Sequence, residues 1–216
     1  MKVLFRTLLI AAPLALSLSA ADNVTPTKHN LSITGPNQVF KTGTLGNQIC
    51  VYCHTPHNAL TAGGPLWNRV ASTATYTLYG TTILGHTPTA LGATSKSCLS
   101  CHDGTVAMFS LTNTYLGTIT AADLTNPKLA ASNIDVTTGM MTGQAMIGAD
   151  LSNDHPVGIV YPVDAGYKAA SGLVGVKLFS NQVECASCHS VHDNTNSPFL
   201  RVNNAGSALC LSCHNK

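Results

Sequence analysis

Residues 185–214 decide the organisation of this chain: they begin CASCHSVHD (185–193) and end CLSCH (210–214). Each of these stretches contains a Cys-x-x-Cys-His motif. The motif occurs twice more upstream, and the four copies use all eight cysteines of the 216-residue chain. In chain order, the first to fourth motifs comprise Cys50, Cys53 and His54; Cys98, Cys101 and His102; Cys185, Cys188 and His189; and Cys210, Cys213 and His214.

The Cys-x-x-Cys-His motif is the attachment signature of c-type haem. The two thiols bond to the vinyl groups of one porphyrin, and the histidine becomes the proximal ligand of its iron. Zinc sites and disulfides are the alternatives for paired cysteines, but neither requires a histidine after each pair. Histidine occurs nine times in the chain, so its presence after all four pairs favours haem. The sequence therefore predicts four covalently bound haem c groups with the motif histidines as proximal iron ligands.

The first residues have the pattern of an export signal. Lys2 and Arg6 precede an apolar core, and residues 19–21 form a small-residue cleavage site. The apolar core is too short for a membrane span, and no later segment is a candidate. We therefore expect residues 1–21 to be a secretory signal peptide. Residues 22–216 are then expected to form a single tetrahaem domain outside the cytoplasm.

Composition predicts a chain with little regular structure. Charged residues make up 9% of the sequence, and the part after the signal has nine basic and nine acidic residues. No basic patch suits nucleic acid, and so little charge favours a surface that is partly covered in an assembly. Helical periodicity is weak, and residues 105–183 are punctuated by turn residues. The predicted fold class is a multihaem cytochrome c, mostly irregular coil and turns with a few short helices wrapped around four haems.

Five histidines lie outside the motifs: His29, His57, His86, His155 and His192. His57 follows the first motif and His192 follows the third at the same spacing. Residues three apart lie on one face of a helical turn, whereas the two axial ligands of an iron approach from opposite faces of the porphyrin. Each of these histidines is therefore expected to bind the iron of a neighbouring haem. Pro156 favours an extended backbone at His155, which suits a ligand presented from a loop.

Beyond the motifs, the chain resembles the multihaem c-type cytochromes of metal-respiring bacteria with doubled Cys-x-x-Cys-His motifs. The segments that show it are HNLS (29–32), CVYCHTPHN (50–58), PLWNR (65–69), SKSCLSCHDGTVA (95–107), LSNDHPVG (151–158), CASCHSVHD (185–193) and FLRVNNAGSALCLSCHNK (199–216). The resemblance implies bis-histidine ligation, with His29, His57, His155 and His192 as distal ligands. His86 lies outside these segments and is left out.

Four haems and this chain length are similar to the filament-forming outer-surface members of that family. In such filaments a histidine of one subunit can bind a haem of the next, and His29 and His57 are the two candidates. The resemblance implies an electron-transfer protein, not an enzyme, that forms an extracellular homopolymer. Its partners would be other multihaem cytochromes and acceptors such as metal oxides. A monomeric periplasmic electron carrier is the alternative, followed by a haem-dependent reductase, which needs a five-coordinate iron.

Overall fold

The computed structural model describes residues 23–40, 45, 47–80, 85–114, 118–124 and 133–215. The predicted signal peptide, residues 1–21, lies outside the described residues. Most described residues are in turns, bends and extended segments, with a few short helices. The predicted coil-rich chain is confirmed to that extent, while its wrapping around four haems stays a prediction.

Three α-helices and two strands occur in the described part of the chain. The helices are α1 (Ala93–His102), α2 (Cys185–Cys188) and α3 (Ala208–Leu211), and the strands are β1 (Ile159–Val160) and β2 (Gln182–Val183). The strands pair antiparallel, with Ile159 opposite Val183. Short 3₁₀ turns cover Cys50–Tyr52, Ala121–Asp123, Gly143–Ala145, Ala170–Gly172 and Ala205–Ser207.

Helix α1 is the longest helix among the described residues, and its buried face is unusually polar. Ser95, Ser97 and Ser100 are buried beside Leu99. Small side chains permit close approach, and α1 packs directly against α2. The helix ends before Gly104, whose φ of +73° suits a glycine just beyond a helix C-terminus. The second and third haem motifs, on α1 and α2, are thereby brought together.

Apolar burial is concentrated in the first three quarters of the chain. The larger cluster includes Phe40, Tyr52 and Met108, with the rings of Phe40 and Tyr52 stacked at 4.6 Å. A smaller cluster is formed by Leu91, Leu99 and Leu151. From Val163 to Asn215 the buried side chains are Glu184 and Ser187, both polar. The third and fourth motifs therefore lie in a segment without an apolar core of its own.

No described helix has the length and apolar character needed to cross a membrane.

Candidate haem sites

The four motifs adopt helical turns. In the first, third and fourth motifs the N–H of the histidine donates to the carbonyl of the first cysteine, over 2.8, 3.1 and 2.9 Å. The second motif lies at the C-terminal end of α1. Residues three or four apart are neighbours on such a turn. Each turn therefore brings two cysteines and one histidine together, as attachment of one porphyrin requires.

Three of the predicted proximal histidines are held by backbone carbonyls. Nδ1 lies 2.8 Å from the Pro65 oxygen in His54, 2.7 Å from the Ala145 oxygen in His102, and 3.0 Å from the Pro198 oxygen in His189. A carbonyl can only accept, so Nδ1 carries the hydrogen. The lone pair is then on Nε2, the atom that binds a metal when Nδ1 is held in this way. These rings thus have the tautomer and the fixed orientation that a haem iron needs.

Three proximal rings also face a histidine from elsewhere in the chain. The ring centroids are 6.1 Å apart for His102 and His29, 6.2 Å for His54 and His192, and 6.4 Å for His214 and His155. With metal–nitrogen bonds of about 2 Å and ring centres about 1 Å beyond each nitrogen, two imidazoles on opposite sides of one metal have centroids about 6 Å apart. The residues present therefore fit bis-histidine haem at three motifs.

His29 is the most enclosed of these distal candidates. Its side chain contacts Phe199 edge-on at 4.5 Å, and its Nδ1 is buried without a described partner. Burial, and then the neighbouring His102, lowers the pKa of His29 to about 4. The imidazole is therefore neutral at pH 7, the form in which histidine binds metals.

Of the eight predicted iron ligands, His189 and His57 are the two that do not face another histidine ring. No described histidine ring faces His189 at a comparable distance. His57 is exposed, and its contacts are made by its backbone carbonyl, which accepts from Thr55 and Asn113. His86 is placed differently, because its Nε2 lies 2.8 Å from an Asp164 oxygen. A carboxylate thus occupies the nitrogen of His86 that an iron would need.

A second backbone element supports three motifs and was not predicted from the sequence. The motif histidine forms an isolated antiparallel bridge with Trp67 in the first motif, Leu200 in the third and Tyr167 in the fourth. The residue that follows each of these bridge partners donates its N–H to the carbonyl of the second cysteine of the same motif, over 2.8 Å; these donors are Asn68, Arg201 and Lys168. The supporting segments are residues 65–68, 198–201 and 165–168.

Cysteines of successive motifs are neighbours, which orders the motifs in space. Burial, and then the adjacent Cys101, raises the pKa of Cys53 to about 12. A hydrogen bond from the Cys98 thiol to Cys185 raises the pKa of Cys98 and lowers that of Cys185. Burial, and then Cys213, raises the pKa of Cys188. The first motif therefore adjoins the second, the second the third, and the third the fourth.

All eight cysteines and all nine histidines are in the described residues, and each cysteine is a free thiol. Among the described residues, no group of three or more His, Cys, Asp or Glu side chains is arranged to bind a metal ion directly.

A cleft of about 570 Å³ opens beside the first motif, bounded by Pro65, Gly92 and Glu184.

Comparison with known proteins supports the haem interpretation. Residues 178–216 match the family model of the doubled CXXCH motif, which covers the third and fourth motifs. No curated protein matches the chain. The CXXCH motifs indicate covalently bound haem c, and the match suggests electron transfer rather than enzymatic catalysis. The closing segment of this chain thus has the doubled CXXCH motif, which supports a multihaem c-type cytochrome.

Proposed function

We propose that this protein is an exported tetrahaem cytochrome that conducts electrons through four bis-histidine haems, similar to the filament-forming outer-surface cytochrome OmcE. The observation that supports it is the pairing of three proximal rings with three distal rings at 6.1–6.4 Å. Two histidines per iron leave no open coordination position for a substrate. They also give lower potentials than His/Met ligation, which suits the delivery of electrons to acceptors such as metal oxides.

The ring pairs support an assignment of distal ligands to three haems. His192 completes the first haem, His29 the second and His155 the fourth. His29 faces His102 of its own chain at 6.1 Å, which favours His57 over His29 as the ligand given to another subunit. The haem of the third motif then takes its distal ligand from the His57 of a second copy.

This exchange makes a polymer. Every subunit offers one exposed histidine and has one haem that needs it, so the contact is head-to-tail and repeats. Motifs adjoining in the order one to four would give continuous electron hopping within each subunit. The third-motif haem, ligated by His57 of a second copy, would continue that path into the next subunit. We place the polymer at the outer cell surface.

Haem content and spin state test the electron-transfer proposal. The mature protein, purified from a host with a haem-attachment system, should gain the mass of four haems and show low-spin ferric EPR signals alone. A high-spin signal in the native assembly would favour the haem-dependent reductase. Fewer than four haems would reject the tetrahaem assignment.

Electron microscopy of His57→Ala tests the filament. We expect fibres from the wild type, discrete particles from His57→Ala, and one new high-spin haem in the variant. His86→Ala is the matched control and should still form fibres. Discrete particles from the wild type with all haems low-spin would favour the monomeric periplasmic carrier instead.

A further inference from the structure

Three charged side chains are almost fully buried in the described part of the chain: Arg69 at 0% exposure, Glu184 at 1% and Asp103 at 4%. A buried charge is costly unless it is compensated. Among the described residues, the salt bridge is between His86 and Asp164. None of the three buried charges is therefore paired with an opposite charge from the described residues. Each is stabilised by neutral dipoles instead, and its charge acts on whatever lies beside it.

Arg69 places a permanent positive charge beside the first motif. Its Nη1 and Nη2 donate to the carbonyls of Met108 and Ala107, each over 2.9 Å, and its buried Nε has no described partner. Arg69 directly follows Asn68, whose N–H donates to the Cys53 carbonyl over 2.8 Å and whose side chain donates to the Val51 carbonyl over 2.7 Å, so the charge lies beside the first motif. Guanidinium does not deprotonate in proteins, so this charge persists.

Glu184 places a negative charge between the second and third motifs. Its Oε1 accepts from the N–H of Gly92, 2.9 Å away at the start of α1, and its Oε2 accepts from the Ser95 hydroxyl. The carboxylate is thus held by hydrogen bonds to both of its oxygens at the N-terminus of α1. The same Ser95 oxygen accepts from the N–H of Cys185 at 3.0 Å. Glu184 is thus hydrogen-bonded to the start of α1, the helix of the second motif. In the sequence it directly precedes Cys185, the first cysteine of the third motif.

Asp103 adds a second negative charge, directly after His102 of the second motif. Its oxygens accept from Ser72, Tyr76 and the N–H of Thr105, at 2.5, 2.7 and 2.8 Å. Going from the first motif to the third, the buried charge therefore changes from positive to negative.

We propose that Arg69 and Glu184 bias the potentials along the haem chain, so that the haem of the first motif is easier to reduce than the haem of the third. The inference rests on the proposed haem content. A ferric haem carries one more positive charge than a ferrous haem. A buried cation therefore favours the ferrous form and a buried anion the ferric form, and water does little to screen either. The chain would thus hold an electron preferentially at its first-motif end and give each subunit an internal direction.

Two charge-removing variants test the bias through reduction potentials of individual haems, followed by NMR of the haem methyl groups during stepwise oxidation. Arg69→Met should lower the potential of the first-motif haem. Glu184→Gln should raise the potential of the third-motif haem. Potential shifts of opposite sign in the two variants are the diagnostic result. A loss of packing alone would not lower a potential when a cation is removed and raise one when an anion is removed. Arg69→Lys and Glu184→Asp keep the charges and should restore most of each potential.

Asp135→Asn is the matched control, since Asp135 is a partly exposed carboxylate whose charge is screened by water. It should leave all potentials unchanged. Unshifted potentials in Arg69→Met and Glu184→Gln, with every haem still low-spin, would overturn the inference and leave the proposed function intact. If neither variant matures, the wild type decides: a third-motif haem that is reduced before the first-motif haem contradicts the bias. Loss of haem from the wild type would instead refute the proposed function.

Discussion

At the scale of single residues, the sites depend on where each histidine nitrogen points. Backbone carbonyls hold Nδ1 of His54, His102 and His189, so these rings offer Nε2 to an iron. His86 has its Nε2 against Asp164. The same residue type therefore serves as a ligand candidate at some positions and as a hydrogen-bond partner of a carboxylate at another.

Replacement of His192 by methionine tests the assignment of this residue to the first haem. Methionine ligation raises the potential of haem relative to histidine. His192→Met should therefore raise one potential and introduce the near-infrared absorption band of methionine-ligated ferric haem. The haem affected should be that of His54, whose ring is 6.2 Å away, and not that of His189, three residues earlier. His86→Met should change neither quantity, and a shift at the third-motif haem would refute the pairing.

The contact between His86 and Asp164 predicts an acid-dependent loss of stability. The hydrogen bond from His86, assisted by the N–H of Gly166, holds the pKa of Asp164 below its ordinary value. The unfolded chain then binds a proton at higher pH than the folded chain. The stabilisation is therefore complete above the ordinary carboxyl pKa of about 3.9 and is lost as the pH falls through the lowered value.

Denaturant unfolding across a pH series measures this contribution. Asp164→Asn should flatten the acid limb of the stability curve, and His86→Ala should flatten it less, because the N–H of Gly166 still bonds the carboxylate. The double variant should behave like Asp164→Asn, since the contribution of His86 acts through that carboxylate. Additive losses would show that the two side chains act independently.

At the scale of elements, the haem motifs could be predicted and their supports could not. Covalent attachment fixes the residue types and their spacing, so Cys-x-x-Cys-His is visible in the sequence alone. The supporting segments at 65–68 and 198–201 share a proline, with Leu66 and Phe199 both at positive φ, 54° and 61°. The third segment, 165–168, shares no such signature, because main-chain hydrogen bonds form with any side chain except that of proline. The pairing of distal rings was equally hidden, since it depends on tertiary contacts.

The junction of α1 and α2 provides a stability test. Ser95 is 0% exposed and bonds both the Glu184 carboxylate and the N–H of Cys185. Ser95→Ala leaves a buried carboxylate oxygen and a backbone N–H without this partner, and should lower the free energy of unfolding by about 1–3 kcal/mol. The neighbouring Thr94→Ala is the control, because its buried hydroxyl has no described partner and its loss should cost clearly less. Equal losses in chemical denaturation would contradict the role of Ser95.

At the scale of the whole molecule, the chain has two regions with different sources of stability. The described residues up to Tyr161 contain the apolar clusters. The described residues after Pro162 bury no apolar side chain and are linked by short turns and main-chain bonds, such as that from Lys168 to Cys213. A segment with so little apolar burial cannot offset its conformational entropy. We therefore expect the porphyrins of the proposed haems to supply the apolar material around which the third and fourth motifs fold.

Removal of one attachment in this region should unfold it locally. In the double variant Cys210→Ala/Cys213→Ala, trypsin should cut at the exposed Lys168 and Lys177 well before it cuts at the buried Arg69. Proteolysis of folded proteins reports the opening of the segment that is cut, and mass spectrometry of a time course would identify the order of cleavage. Ser212→Ala lies within the same motif but keeps both thioether bonds, so it should be cut like the wild type. If Arg69 is cut as early as Lys168 in the double variant, the two regions unfold together, and the stability of the first depends on the haem of the last motif.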